Sequence, residues 1–191
     1  MRATRPASSR LPREENVRGT GVRSPGRGWA LDGQWYVAVV GPSSASDEQA
    51  AAGEQLGAAL AGRGHVVVCG GGGGVMAAAA RGATRAGGIV VGLLPGDDRA
   101  AGDANLTIAI PTGLGEMRNA LVVRSADVVV AVGGSWGTLS EVALAVRTGV
   151  PVVALGSWHV MDRDDEPRGL RHATTLQEAL AFVDGVLGTA L

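Results

Sequence analysis

Short apolar runs rich in valine and isoleucine alternate with alanine-rich stretches along the chain from Trp35 onward. The runs contain few polar positions, as expected of strands that are buried on both faces of a parallel sheet. The predicted strands are residues 35–41, 65–69, 89–94, 106–110, 127–132 and 151–155. The predicted helices are residues 46–62, 75–87, 115–125, 137–148 and 175–188. This alternation predicts an α/β fold: a single domain with a doubly wound parallel sheet and helices on both faces.

Polar residues and a glycine mark several predicted helix ends. Ser46 precedes the first helix, and Thr174 or Thr175 precedes the last, as expected of N-cap side chains that accept a backbone hydrogen bond. Gly149, which is followed by Pro151, predicts a helix stop. In such a fold, ligands bind beyond the carboxyl ends of the strands, so the loops after the strands are the places to look for function.

The first 33 residues differ in composition from the rest of the chain. They are rich in Arg, Ser, Pro and Gly and show no hydrophobic period, which predicts a disordered basic tail at 1–33 and the domain at 34–191. Residues 1–27 contain seven of the 17 arginines and only two acidic residues, so their net charge is +5. Residues 28–191 contain ten arginines and sixteen acidic residues, so their net charge is −6. A transit peptide, a nucleic-acid-binding arm and an over-long gene start are the alternatives for the tail.

All 17 basic residues are arginines, and the absence of lysine excludes several chemistries. Neither a lysine Schiff base nor a phosphate loop with its lysine can form, so an anionic ligand must be held by arginine or backbone N–H groups. The single cysteine, Cys69, cannot form an internal disulfide, and the three histidines lack metal-ligand spacing, which predicts no metal site. No stretch reaches 18 apolar residues, so we expect a soluble, cytoplasmic protein that does not span a membrane.

A run of five glycines follows the second predicted strand and leads directly into a helix. Glycine lets the backbone adopt positive φ and brings N–H groups close to a ligand, while the helix start supplies partial positive charge. The alternative is a loose turn in which the glycines serve packing. We favour a phosphate-binding loop, whose predicted ligand-binding residues are Gly70, Gly71, Gly72, Gly73, Gly74 and Met76.

A second glycine-containing loop follows the fifth predicted strand and also opens a helix. Its predicted binding residues are Gly134, Ser135, Trp136, Gly137 and Thr138. The carboxylate of Glu141 follows three residues later, and its spacing from Thr138 has two interpretations. Glu141 could complete a capping box with Thr138, or it could act on a bound ligand.

Arg118 lies in the first turn of the helix predicted at 115–125, which precedes the fifth predicted strand. A guanidinium at the ligand-binding edge of the sheet can bind phosphate or a carboxylate through paired hydrogen bonds. The alternative is a solvated surface arginine, the commoner fate of an isolated arginine.

Taken together, three segments resemble the lonely-guy (LOG) family of Rossmann-like proteins, in particular its branch related to DNA-processing-protein-A-like and molybdenum-cofactor carrier proteins. GGSWGTLSE at residues 133–141 is similar to the family's PGGxGTxxE. The five-glycine loop is similar to GGGxxGLM, and the segment around Arg118 resembles the arginine-bearing helix start. The resemblance extends from Tyr36 to Trp158 and implies a Rossmann-like fold.

LOG enzymes hydrolyse the N-glycosidic bond of nucleoside 5′-monophosphates, releasing free base and ribose 5-phosphate. The resemblance therefore implies that Arg118 and Glu141 are the catalytic pair, that the glycine loops bind the 5′-phosphate and that no cofactor is required. The carboxylate of Glu141 can stabilise an oxocarbenium-like transition state, while Arg118 anchors the substrate and holds Glu141 ionised.

The sequence departs from the family's pattern at several positions. Gly133 replaces a proline, Ser135 replaces a glycine, and Asn119 replaces the lysine that usually follows the arginine, which removes one positive charge near the substrate. Carrier proteins with the same fold bind the molybdenum cofactor through its phosphate and pterin without chemistry, so a non-catalytic carrier is the alternative function. Nucleic acid is not an expected partner because only the tail is basic. The resemblance also implies a homodimer or larger homo-oligomer, because members of the family are usually at least dimers.

Overall fold

The computed structural model describes residues 34–161 and 169–188. The predicted basic tail at 1–33 lies outside the described residues, so both the tail and the domain boundary that it implies stay predictions. None of the helices in the described residues is long and apolar enough to cross a lipid bilayer.

Seven parallel strands in the described residues form one sheet, in the order β4-β3-β2-β1-β5-β6-β7. The strands are β1 (Tyr36–Val40), β2 (Val66–Cys69), β3 (Val90–Leu94), β4 (Ile108–Pro111), β5 (Val128–Val132), β6 (Val152–Leu155) and β7 (Leu170–Ala173). Strand order reverses at β1, which pairs with β2 on one side and β5 on the other. The crevice at this reversal is the expected ligand-binding position of a doubly wound sheet.

Within residues 34–161 and 169–188, five α-helices cover the two faces of this sheet: α1 (Asp47–Gly62), α2 (Val75–Arg85), α3 (Asn119–Arg124), α4 (Trp136–Thr148) and α5 (Leu176–Leu187). The helices α1, α2 and α5 pack on one face through an apolar cluster that includes Leu56, Met76 and Val183. On the other face, α3 and α4 pack through a second cluster that includes Val123 and Val142. The predicted Rossmann-like α/β domain is therefore confirmed.

Close packing of α1 against α2 depends on two glycines. A Cβ at Gly57 would overlap the backbone of α2, and a Cβ at Gly82 would overlap the backbone of α1 at Glu54. The same two helices are joined by Glu54, whose carboxylate lies 2.6 Å from both Arg81 and Arg85. Since α1 starts after β1 and α2 starts after β2, this packing fixes the relative position of the two loops that precede them.

The predicted helix ends are confirmed where local side-chain chemistry decides them. Ser46 caps α1 in a complete capping box with Gln49, and Thr175 caps α5 by accepting from the N–H of Glu178 at 3.2 Å. Gly149 ends α4 with φ +74°, which a residue with a side chain rarely adopts.

Other predicted helix and strand boundaries were wrong by two to four residues. The strand predicted at 106–110 begins at Ile108 and ends at Pro111, and the side-chain hydroxyl of Thr107, just before it, accepts a hydrogen bond from the N–H of Val90. The helix predicted at 115–125 begins as a 3₁₀ turn at Gly115–Arg118 before α3. The helix predicted at 75–87 ends at Arg85, and β7 was not predicted at all.

Candidate functional site

Three loops meet at the carboxyl edge of β1, β2 and β5. A Cβ at Gly41, directly after β1, would lie 2.7 Å from the carbonyl oxygen of Val132 in β5. Farther along the same loop, the carbonyl of Pro42 accepts from the N–H of Val75 at 3.1 Å and leaves no space for a Cβ at Gly74. The loop after β1 therefore holds the other two loops together, and the sequence analysis did not select it. Its signal was a glycine directly after a buried strand.

The five-glycine loop curves around the end of β2. Gly71 and Gly74 have φ values of +71° and +60°. The N–H of Gly71 lies 3.4 Å from the thiol sulfur of Cys69, and burial raises the pKa of that thiol to about 11, which makes it a poor nucleophile. Within the part of the chain that the structure describes, the N–H groups of Gly72 and Gly73 have no hydrogen-bond acceptor. They can therefore donate to an anion.

The helix α4 begins one residue earlier than predicted, and its N-cap is Ser135. The Ser135 hydroxyl accepts from the N–H of Thr138 at 3.1 Å and lies 2.9 Å from the Thr138 hydroxyl. The N–H groups of Trp136 and Gly137, in the first turn, have no acceptor among the described residues. The start of α4 thus presents backbone donors and the positive end of a helix dipole at the crevice.

Glu141 has no part in capping this helix, so the capping-box interpretation of Thr138 and Glu141 was wrong. Thr138 already lies inside the helix, and Glu141 lies in the next turn with 7% of its side chain exposed. The nearest charge is Arg118, whose Nη1 lies 3.8 Å from Oε1 of Glu141. Burial raises the pKa of Glu141 to about 7, and the opposing effect of Arg118 is smaller. Arg118 therefore does not hold Glu141 fully ionised at neutral pH, contrary to expectation.

Arg118 is buried rather than solvated, with 12% of its side chain exposed. Its guanidinium lies directly over Gly70, where a Cβ would overlap it. The buried Nε of Arg118 has no hydrogen-bond partner among the described residues. Asn119, at the position where the LOG pattern has lysine, donates through Nδ2 to the hydroxyl of Ser140 at 3.3 Å and so joins α3 to α4. The arginine thus connects the five-glycine loop to Glu141.

Two tryptophans form the rim of the site on its β6 side. The indoles of Trp136 and Trp158 make an edge-to-face contact with ring centroids 5.0 Å apart. Trp158, which follows β6, lies against Gly134, where a Cβ would come within 2.7 Å of the indole. Trp136 is 80% exposed. Sequence reasoning selected Gly134 and Trp136 but missed Trp158, which had no motif to mark it.

The structure brings together the residues that the sequence analysis selected. Arg118 lies against Gly70 of the five-glycine loop and 3.8 Å from Glu141, and α4 carries Trp136 in its first turn and the buried Glu141 in its second. Met76 lies at the base of this arrangement, where its methyl group would be 3.3 Å from a Cβ at Gly72. Among the described residues, the site offers backbone N–H donors, the guanidinium of Arg118, the carboxyl group of Glu141 and an aromatic rim.

Comparison with known proteins adds family and structural relatives to this geometry. The model of the SLOG cluster4 family matches residues 34–180. A molybdenum cofactor binding protein from Rippkaea orientalis has a similar structure, with a TM-score of 0.75 and 32% identity over 81% of this chain and 98% of that one. The molybdenum cofactor carrier protein of Chlamydomonas reinhardtii is similar at a TM-score of 0.70 and 32% identity, covering 81% and 99% of the two chains.

A protein of undescribed function from Archaeoglobus fulgidus is also similar in sequence. It is 36% identical over 146 residues, which span 76% of this chain and 92% of the relative. The match to the family model, at residues 34–180, includes all the strands and loops that form the crevice.

Proposed function

Because this chain belongs to the SLOG cluster4 family, we propose that it binds and carries a small phosphate-bearing ligand, with the molybdenum cofactor as its cargo. The Rippkaea protein binds this cofactor and the Chlamydomonas protein carries it, which supports the choice of cargo. The observation that carries the proposal is the pair of N–H-lined loops at the strand-order reversal, with the buried guanidinium of Arg118 beside them.

These donors suit a phosphate group. The first turn of α4 and the five-glycine loop offer N–H groups with no acceptor among the described residues, and helix starts stabilise anions. Arg118 adds a full positive charge, and its Nε lacks a hydrogen-bond partner within the described residues. Because the chain contains no lysine, phosphate recognition here depends on backbone donors and arginine.

The site is also wide enough for a ligand with a ring system. The loop after β2 and the loop after β6 are separated by β1 and β5. Three inter-strand spacings of about 4.8 Å place these loops about 14 Å apart. A phosphate beside the loop after β2 leaves a distance comparable to the length of a bicyclic ring, such as a pterin, toward the loop after β6.

A second candidate function is hydrolysis of nucleoside 5′-monophosphates, and the Arg118–Glu141 pair favours it. A carboxyl group with a pKa of about 7 can give or take a proton at neutral pH, and Arg118 can hold the substrate beside it. The same pair serves a carrier equally well, because a neutral carboxyl group tolerates a nearby phosphate. The carrier and the hydrolase therefore require the same residues, and only the hydrolase converts its ligand to products.

We expect phosphomonoesters to stabilise the protein and the corresponding nucleosides to leave it unchanged. At a concentration of 100 times Kd, AMP is expected to raise the free energy of unfolding by about 2.7 kcal/mol. For a chain of this size, this corresponds to a Tm increase of roughly 5–10 °C in a thermal melt. Equal shifts from AMP and adenosine, or no shift from either, would refute a phosphate site.

Incubation of the same protein with AMP separates the carrier from the hydrolase. The carrier proposal predicts no adenine by chromatography and a pterin absorbance or mass in protein purified from its source. Release of adenine that disappears in Glu141→Gln would instead establish the hydrolase, since glutamine cannot transfer the proton.

We further propose that the chain assembles as a homodimer or larger homo-oligomer. Five large apolar side chains of β4, the following turn and α3 are at least two-fifths exposed: Ile108, Ile110, Leu114, Met117 and Leu121. Apolar side chains exposed in such number mark interaction surfaces. Ile110→Glu is expected to reduce the sedimentation mass to that of one chain, whereas Ile89→Glu, at a similarly exposed position before β3, leaves it unchanged. A parent protein that sediments as one chain would exclude the assembly.

A further inference from the structure

We propose that Trp136 and Trp158 form a stacking platform that selects ligands in which a planar heteroaromatic ring accompanies the phosphate. This inference rests on the proposed function, because it assigns the ring of the ligand to a surface beside the phosphate-binding donors. It adds a specificity-determining residue, Trp136, whose side chain binds the ring and not the anion.

The position of Trp136 supports this role. Its own N–H is one of the acceptor-free donors at the start of α4, so its indole stands beside the place where the phosphate binds. The side chain is 80% exposed, although exposure of so large an apolar surface is unfavourable in water. A ring that stacks on Trp136 would therefore cover apolar surface while its phosphate remains on the N–H groups.

The indole of Trp136 is also held in place before any ligand binds. Trp158 contacts it edge-to-face at 76°, and Trp158 is itself seated on the backbone of Gly134. A residue with a side chain at position 134 would displace Trp158 from this seat. Two of only six aromatic residues in the whole chain thus meet at one rim of the crevice. Such pre-organisation reduces the entropy lost when a ring is bound.

The chemistry of the rim favours a heteroaromatic ring over a sugar or an aliphatic chain. Indole faces stack on flat heteroaromatic rings, and stacking of a nucleobase on an aromatic side chain strengthens binding by about 5- to 150-fold. Guanine shares its amino-oxo-pyrimidine ring with a pterin. GMP is therefore a suitable probe, and ribose 5-phosphate is the matched probe that lacks the ring.

Equilibrium binding of these two probes tests the platform. The parent protein is expected to bind GMP at least fivefold more tightly than ribose 5-phosphate. Trp136→Ala should bring the affinity for GMP to that of ribose 5-phosphate and leave ribose 5-phosphate binding unchanged, while Trp136→Phe retains part of the difference. Trp35→Phe is the control, because Trp35 lies at the amino end of the central strand β1, whereas the site lies at the carboxyl ends of the strands, and this variant should bind both probes as the parent does.

Tryptophan fluorescence provides a second measurement on the same samples. GMP should quench the emission of the parent and of Trp35→Phe, and most of that quenching should be absent from Trp136→Phe. Equal affinity of the parent for both probes, or unchanged GMP affinity in Trp136→Ala, would overturn the platform and leave the phosphate site standing. Failure of the parent to bind either probe would overturn the phosphate site, and the platform with it. A lower sedimentation mass of Trp136→Ala with unchanged GMP affinity would identify a subunit contact instead.

Discussion

Glutamine at position 141 is expected to raise the free energy of unfolding by about 3 kcal/mol at pH 8 and to leave it nearly unchanged at pH 4. The pKa of Glu141 rises from 4.5 to about 7 in the folded protein because burial disfavours the charged form. A raised pKa means that the folded state binds more protons than the unfolded state between these two values, so stability falls as pH increases through this range. Glutamine never ionises and removes this loss. Urea unfolding at pH 4, 6 and 8 measures the difference.

Glu178→Gln is a suitable control because its expected effect has the opposite sign. Glu178 is exposed, and hydrogen bonds from Thr174 hold the pKa of its carboxyl group below the usual range. Its negative charge therefore stabilises the folded state above pH 4.5, and Glu178→Gln should lose stability at pH 8. A Glu141→Gln variant that is no more stable than the parent at pH 8 would show that Arg118 keeps Glu141 ionised after all.

The same substitution is expected to change how phosphate binding depends on pH. A phosphate next to Arg118 would place two anions beside one buried guanidinium, so binding should favour the protonated form of Glu141. Affinity of the parent should fall as pH rises above about 7, and Glu141→Gln should not share this fall. The ratio of the two affinities isolates Glu141, because the ionisation of the phosphate itself affects both proteins equally.

The central part of the fold could be predicted because its strands are buried on both faces. Runs such as Val128–Val132 contain only apolar residues, and this pattern is distinctive in a sequence. β7 escaped prediction because Arg171 and His172 interrupt its apolar pattern, as an edge strand permits. The order of the strands also had to come from the structure, since short apolar runs carry no information about which neighbour they pair with.

The site was predictable where the chemistry is local and not where it is tertiary. Five glycines before a helix identify a loop that can bind an anion without any knowledge of the fold. The capping question could not be decided, because Ser135 and Thr138 both carry hydroxyl groups at suitable spacing. Glu141 and Arg118 are far apart along the chain, and they meet only because the crossing from β4 to β5 places α3 beside α4. The raised pKa of Glu141 follows from that burial.

Removal of the guanidinium by Arg118→Ala is expected to lower the affinity for AMP by more than tenfold. Arg118 is the cation that lies against both the five-glycine loop and Glu141, and charge-assisted hydrogen bonds to phosphate are about twice as strong as neutral ones. The buried Glu141 would at the same time lose the positive charge that opposes the rise of its pKa, so the variant should also lose stability at pH 8.

Gly70→Ala should reproduce this loss of affinity while leaving Arg118 in the chain. A Cβ at Gly70 would overlap the guanidinium at the flexible end of the Arg118 side chain, so the guanidinium should move away and the fold should remain. Gly62→Ala is the control, because Gly62 is the last residue of α1, away from the three loops, and an added Cβ there has no atom within 4 Å. Calorimetry with AMP should therefore give weak binding for Gly70→Ala and near-parental binding for Gly62→Ala. Equal affinities in the two variants would mean that the position of Arg118 over Gly70 does not control phosphate binding.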